Sequence, residues 1–260
     1  MNIESATILI TGASQGIGQQ LAVYFAKKGA EVIIAARNKS KLNETLKLIN
    51  AVGGKATALV LDLSNVETIQ SLANDIQVSG KHVNILINNA ANCNSKPLLD
   101  TSLEEIDAIV RTNVIGCFQL CRLIAPTMVS QRGGVIVNIS SLAGYNPNAA
   151  QTVYSTSKAA VNALSEALRD ELAPKRVQVI NVAMEVLALD TQKSLGQVNV
   201  EQFAKRLESA IYKNEYELFL SPPKKWLMRL YKFLPVISRL KKYLKSYKTR
   251  KSVENQIMEN

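Results

Sequence analysis

The sequence predicts an α/β fold of the doubly wound (Rossmann) kind, a mostly parallel seven-stranded sheet with helices on both faces. Two observations predict it. Short apolar runs rich in β-branched residues alternate with amphipathic stretches of helical length as far as residue 220, the pattern of strands covered on both sides. A glycine-rich turn, Gly12-Ala13-Ser14-Gln15-Gly16-Ile17-Gly18, falls directly between the first such run and the first helical stretch.

Residues 6–10 (Ala-Thr-Ile-Leu-Ile) read as a buried strand ending at Thr11-Gly12. The turn has the form Gly-x-x-x-Gly-x-Gly and opens an amphipathic helix that runs to Lys28 and stops at Gly29. Missing side chains let backbone and helix N-terminus approach a pyrophosphate. Residues 31–36 form the second strand, followed by Arg37. In dinucleotide folds an acid at this strand's end bonds the ribose 2′-hydroxyl, whereas an Arg accommodates a 2′-phosphate. Ala36 is not acidic and Arg37 follows it, so NADP is expected over NAD.

A helix is expected from about Ser40 to Ala51, broken by Gly53-Gly54, and residues 56–61 form the third strand. Asp62 closes that strand near where adenine would lie, and Ser64 is expected to cap a helix reaching Val78. Residues 84–87 are the fourth strand, leading into Asn88-Asn89-Ala90-Ala91. Small polar residues at a strand's carboxyl end mark the ligand side of such sheets. Residues 102–130 read as helical, but Asn113 and Gly116 inside them are poor helix formers and predict a local distortion. The fifth strand, residues 135–139, ends at Ser140-Ser141. The next helix stops at Pro174. Residues 176–182 and 215–220 are the sixth and seventh strands, with a helix over residues 200–212 between them.

Tyr154 and Lys158 are four residues apart and share one face of their helix. A free phenol has a pKa near 10. An ammonium beside it favours the phenolate, so the pair is expected to act as a proton-transfer device with a lowered phenol pKa.

The ordered set Thr11-Gly12-Ala13-Ser14-Gln15-Gly16-Ile17-Gly18, Asn88-Asn89-Ala90, Asn113, Ser141 and Tyr154-x-x-x-Lys158 resembles the classical short-chain dehydrogenase/reductase family over roughly residues 5–183. The resemblance implies the following roles. Tyr154 is the acid that protonates the developing alkoxide. Lys158 tunes it and bonds the nicotinamide ribose, and Ser141 bonds the substrate carbonyl oxygen. Asn113 holds a water in a proton relay through Lys158. Gly12, Ser14, Gly16, Ile17 and Gly18 line the pyrophosphate. Asp62 and Leu63 flank adenine, while Asn89, Ala90 and Ala91 lie at the adenosine ribose. The implied activity is NADP(H)-dependent hydride transfer to or from a carbonyl or alcohol, by a homodimer or homotetramer.

Two departures stand out. Ala91 replaces the glycine usual after Asn-Asn-Ala, and Met184-Glu185 replaces a Pro-Gly pair that contacts nicotinamide. Glu185 either favours the oxidised, positively charged ring, or points to solvent, or marks weakened cofactor binding. The last alternative defines a rival class: a nucleotide-binding scaffold or sensor with little turnover. The segment from Leu187 to Val200, where a substrate lid usually lies, names no substrate.

The chain carries a net charge of +10, and eleven Lys and Arg against two Glu place nine of those charges in residues 224–260. The catalytic domain is therefore drawn as residues 1–223, followed by a basic tail. Nucleic-acid binding is not expected of a nearly neutral body. In the tail, Leu227, Leu230, Leu234, Ile237, Leu240, Leu244 and Tyr247 recur at helical spacing, with Trp226, Tyr231, Phe233 and Tyr243 widening the face. Pro235 should kink that helix. Such a segment suits an anionic membrane surface through residues 224–250. The alternative is packing on its own domain or a partner subunit. No stretch reaches the ~20 consecutive apolar residues of a membrane span, and no secretory signal is expected. Cys93, Cys117 and Cys121 have neither disulfide nor metal-site spacing. No metal is expected, and the location expected is cytoplasmic, peripheral on the membrane if the tail docks there. His82, ahead of the fourth strand, is expected to be exposed and not catalytic.

Overall fold

The structure, a computed structural model, describes residues 2–93, 96–184 and 199–219. All of these belong to one compact unit, Met1–Leu220. The basic tail, Glu185 and most of the segment before Val200 lie outside the described residues.

Seven strands form one sheet: β1 (Thr7–Thr11), β2 (Glu31–Ala36), β3 (Lys55–Val60), β4 (Ile85–Asn88), β5 (Gly134–Ser141), β6 (Val177–Met184) and β7 (Glu217–Phe219). Their order is β3-β2-β1-β4-β5-β6-β7, and every described pairing is parallel. The order reverses between β1 and β4, so a crevice opens at the carboxyl ends of these two strands.

Among the described residues, seven α-helices cover the sheet: α1 (Gly16–Lys27), α2 (Lys39–Ala51), α3 (Val66–Val78), α4 (Leu103–Val110), α5 (Gly116–Ser130), α6 (Thr152–Leu172) and α7 (Val200–Tyr212). One core joins the strands to α1, α2 and α7 through Phe25, Ile49, Phe203 and Leu207. The other packs α3, α5 and α6 on the opposite face through Leu72, Leu120, Met128 and Leu164.

The expected distortion near Asn113 is a π-helical turn, Arg111–Ile115, joining α4 to α5. Extra residues of this kind inside helices recur at functional sites. By length and composition the run Leu103–Ser130 is apolar enough to cross a membrane. Its apolar side chains Leu120, Cys121, Ile124 and Met128 are instead buried in the core. Ser64 does not cap α3. Asp62 Oδ1 takes both the Ser64 amide (2.9 Å) and its hydroxyl (2.7 Å), and Asn65 caps the helix one residue later. His82 is exposed.

Candidate active site

The glycine turn is shaped by contacts that leave no room for side chains. Gly12 has φ +67°, and a Cβ there would stand 2.8 Å from Ala90 Cα. A Cβ on Gly18 would stand 2.5 Å from both Gly12 O and Asn89 Nδ2. These clashes show that the turn, the first turn of α1 and the loop after β4 pack too closely for side chains, which leaves a cradle of bare backbone. Helix α1 begins at Gly16 with no side-chain cap, since the Gln15 side chain makes no capping bond. Its first amides are therefore oriented toward an anion, as a pyrophosphate requires. The donor set fits a dinucleotide.

Side chains other than the glycines' neighbours in the turn hold it, and of these Thr45 and Lys41 are not singled out by local sequence patterns. Thr45 on α2 donates to Ala13 O at 3.0 Å. Thr11 Oγ1 accepts from the amides of Asn89 and Ala90, both at 3.0 Å. Lys41 Nζ donates to Gln15 Oε1 at 2.8 Å, which brings a cation to the turn. Asn89 Nδ2 donates to Thr11 O at 2.9 Å, so the Asn89 side chain ties the loop after β4 to the glycine turn. Arg37 follows β2 and is exposed, while Asn38 next to it caps α2 through Lys41 N (3.0 Å). Leu63 is buried against α5, where a Cβ on Gly116 would stand 2.3 Å from Leu63 O.

The proton-transfer group sits where β5 meets α6. Ser141 ends β5, buried, and its Oγ accepts from Ala143 N at 3.1 Å. Tyr154 and Lys158 lie on the first two turns of α6, both nearly fully buried. The Tyr154 phenol lies close enough to the Ser141 hydroxyl and the Cys93 thiol for both to act on its proton affinity. Lys158 Nζ stands 5.8 Å from the centre of the Tyr154 ring and donates to Ile139 O at 2.9 Å.

The electrostatics correct one expectation. Burial, and then the neighbouring Cys93 thiol, push the Tyr154 phenol above its ordinary pKa, and the Ser141 hydrogen bond only partly opposes them. Burial also lowers the Lys158 ammonium below its ordinary value, with Cys93 and Cys117 pulling the other way. The lysine does not dominate because its ammonium is committed to the Ile139 carbonyl and is itself desolvated. In this state Tyr154 is a protonated donor at neutral pH.

Asn113 is buried in the π-helical turn, with both ends of its amide engaged. Oδ1 accepts from Asn92 N at 2.7 Å, and Nδ2 donates to Asn92 O at 2.9 Å and to Ser157 Oγ at 3.0 Å. Its side chain thus pins the loop after β4 to α6, rather than reaching toward Lys158. Met184 is buried at the end of β6, in register with Ser141.

A family model described as short chain dehydrogenase matches residues 6–199. The ketoacyl reductase HetN of Nostoc is 38% identical over 173 residues, 66% of this chain and 60% of that protein's length. A solved metagenomic short-chain oxidoreductase in complex with NADP shares 30% identity and superposes with a TM-score of 0.76, covering 85% of this chain and 99% of the other. A 7α-hydroxysteroid dehydrogenase structure, complexed with NADH and 7-oxo glycochenodeoxycholic acid, is 34% identical with a TM-score of 0.69, covering 74% and 76%. With the glycine cradle and the Ser141, Tyr154 and Lys158 cluster in place on a parallel doubly wound sheet, this chain belongs to the short-chain dehydrogenase/reductase family of oxidoreductases.

Proposed function

We propose that the protein is an NADP(H)-dependent carbonyl reductase or alcohol dehydrogenase acting on an apolar substrate. The observation that carries this reading is the burial of Tyr154 and Lys158 one turn apart on α6, 5.8 Å from ammonium to ring centre, with Ser141 buried at the end of β5. The cofactor supplies hydride at its nicotinamide ring. This chain's residues do the rest. Ser141 Oγ orients the carbonyl oxygen toward the Tyr154 hydroxyl, which gives up its proton as negative charge develops on that oxygen. Lys158 stabilises the phenolate left behind and bonds the nicotinamide ribose. Asn113 is proposed to hold a water that relays the replacement proton by way of Lys158, while its side chain bonds Asn92 and Ser157. The test is NADPH oxidation against a panel of ketones and aldehydes, with Tyr154→Phe as the control. The rival reading, a scaffold or sensor with little turnover, is disfavoured by the intact acid cluster.

The preference for NADP rests on Arg37, with Lys41 of α2 bonded to Gln15 of the glycine turn. Relatives with NADP and with NADH are both known, so the choice is a property of these side chains. Arg37→Ala is expected to raise the Kd for NADPH about tenfold and leave that for NADH within about twofold, as one lost charge-assisted contact to a phosphate would do. Fluorescence titration with both nucleotides checks it, and equal losses for the two would refute a phosphate contact.

The active form is proposed to be a homodimer or homotetramer. What supports this is an apolar groove of about 640 Å³ between α5 and α6, lined by Phe118, Ala125, Pro126 and Leu168. Residues 224–250 are proposed to dock on anionic membranes from a cytoplasmic location. Sedimentation with phosphatidylserine vesicles should bring down the full chain and lose most of it when residues 224–260 are removed. Equal sedimentation of both forms would eliminate this reading.

A further inference from the structure

Behind the Ser141 turn, a chain of polar side chains runs from the sheet edge to the helix that carries Lys158. It starts at Glu217 on β7, whose Oε1 accepts from Tyr145 Oη at 2.7 Å. That hydroxyl oxygen in turn accepts from Asn181 Nδ2, on β6, at 2.8 Å. Asn181 Nδ2 also donates to Asn162 Oδ1, on α6, at 3.0 Å. The same Asn162 oxygen accepts from Ser140 Oγ at 2.5 Å, and Ser140 shares its proton with Lys158 O at 3.1 Å.

The chain brackets the site's hydroxyl. Ser140 directly precedes Ser141, and Tyr145 follows the short 3-10 turn Leu142–Gly144. Between them, a Cβ on Gly144 would stand 2.7 Å from Lys158 C and 2.8 Å from Ala159 N, so this turn is pressed onto the Lys158 turn of α6. The Tyr145 ring packs on Phe219 of β7, 5.6 Å between centres. Burial, and then the Glu217 carboxylate, push the Tyr145 phenol above its ordinary value, so at neutral pH it remains the donor to Glu217. Among the described residues, Asn181 Oδ1 is buried with no hydrogen-bond partner. Its Nδ2 bridges two acceptors from different elements, which packing alone would not require.

None of these side chains is placed against the reacting atoms. We infer that Tyr145, Asn181 and Asn162 are positioning residues that hold the Ser141 turn and the Lys158 turn of α6 in register, keeping the Ser141 hydroxyl within hydrogen-bond reach of Tyr154. The inference rests on the reading of Tyr154 as the acid. A displacement of about 1 Å in such a site can cost ~10²-fold in rate.

Two variants test it. Tyr145→Phe keeps the ring on Phe219 and removes the bridging hydroxyl. Asn162→Ala removes the oxygen shared by Ser140 and Asn181. Each is expected to lower kcat for carbonyl reduction about tenfold or more, with the Kd for NADPH within about twofold of wild type because the glycine turn is untouched. The double variant should lose little more than the worse single one, since both cut the same chain. The inference is overturned by a kcat within about twofold of wild type in either variant, by a matching loss of NADPH affinity and melting temperature, or by losses that multiply. A wild-type protein that reduces no carbonyl would sink the enzymatic reading instead. The 13C resonance of the Tyr154 ring, assigned by its disappearance in Tyr154→Phe, then decides alone: movement in both variants supports positioning, and an unmoved signal overturns it.

Discussion

Tyr154→Phe should lower kcat for carbonyl reduction by about 10²–10⁴-fold, the range over which a positioned general acid contributes, while NADPH binds with little change. The ring stays in its buried seat on α6, so only the hydroxyl shared with Ser141 and Cys93 is lost. Without it, the forming alkoxide keeps the Ser141 hydroxyl beside it but has lost the acid that gives up a proton, which must then come from water. Removing Ser141 Oγ should cost less, since it orients the carbonyl oxygen without supplying the proton. The pH dependence carries a sign. Because burial raises the phenol above its ordinary value, the acid form persists through neutral and mildly alkaline conditions. The kcat/KM for reduction should therefore stay level up to about pH 9 in the limb that reports the free enzyme. A decline setting in near pH 7 would point to a phenol acidified by its lysine, the arrangement that spacing alone suggested. Stopped-flow reduction of the best panel substrate, alongside NADPH fluorescence, separates the chemical loss from any binding loss.

The second large effect is expected at Gly18. Its missing Cβ would stand 2.5 Å from Gly12 O and from Asn89 Nδ2, and 2.9 Å from Gly12 C. Two of these three neighbours are backbone and cannot rotate away, so Gly18→Ala must move α1 off the turn or push Asn89 off the Thr11 carbonyl. Overpacking of this kind typically costs about 1–3 kcal/mol in stability. The movement also tilts the amides at the start of α1, so the Kd for NADPH should rise by more than about tenfold. Thermal melting with and without NADPH checks both parts: a lower midpoint and a smaller ligand-induced shift. By contrast Gly53 has no atom within 4 Å of its would-be Cβ. Its positive φ alone makes Gly53→Ala a milder control, destabilising with no loss of cofactor affinity.

Much of this molecule can be read along the chain because the signals are local. The alternation of apolar runs with amphipathic stretches gives seven strands in the expected segments, displaced by a residue or two at their ends. Asn113 and Gly116 betray the π-helical turn because their helix propensities conflict with their surroundings. What is not legible depends on partners far away in sequence. Tyr154 and Lys158 share a helical face, but how deeply that face is buried, and that Ile139 O occupies the ammonium, follow from β5 packing on α6. Thr45 reaches Ala13 O across 32 residues, and Asn89 reaches Thr11 O across 78. The α3 cap moved to Asn65 because Asp62 competes for the Ser64 hydroxyl, a contest that propensity does not weigh. The Tyr145, Asn181 and Asn162 chain joins three elements that no spacing rule connects.

The bond from Lys158 Nζ to the Ile139 carbonyl has a thermodynamic sequel. A long amine arm that swung freely would have to be immobilised when a sugar hydroxyl arrived, at an entropic cost of about 1.5–2 kcal/mol. Here the arm is already docked, and an ammonium has three hydrogens, only one of which that carbonyl takes. The freezing of the arm is therefore charged to folding, and a nucleotide meets a hand already held out.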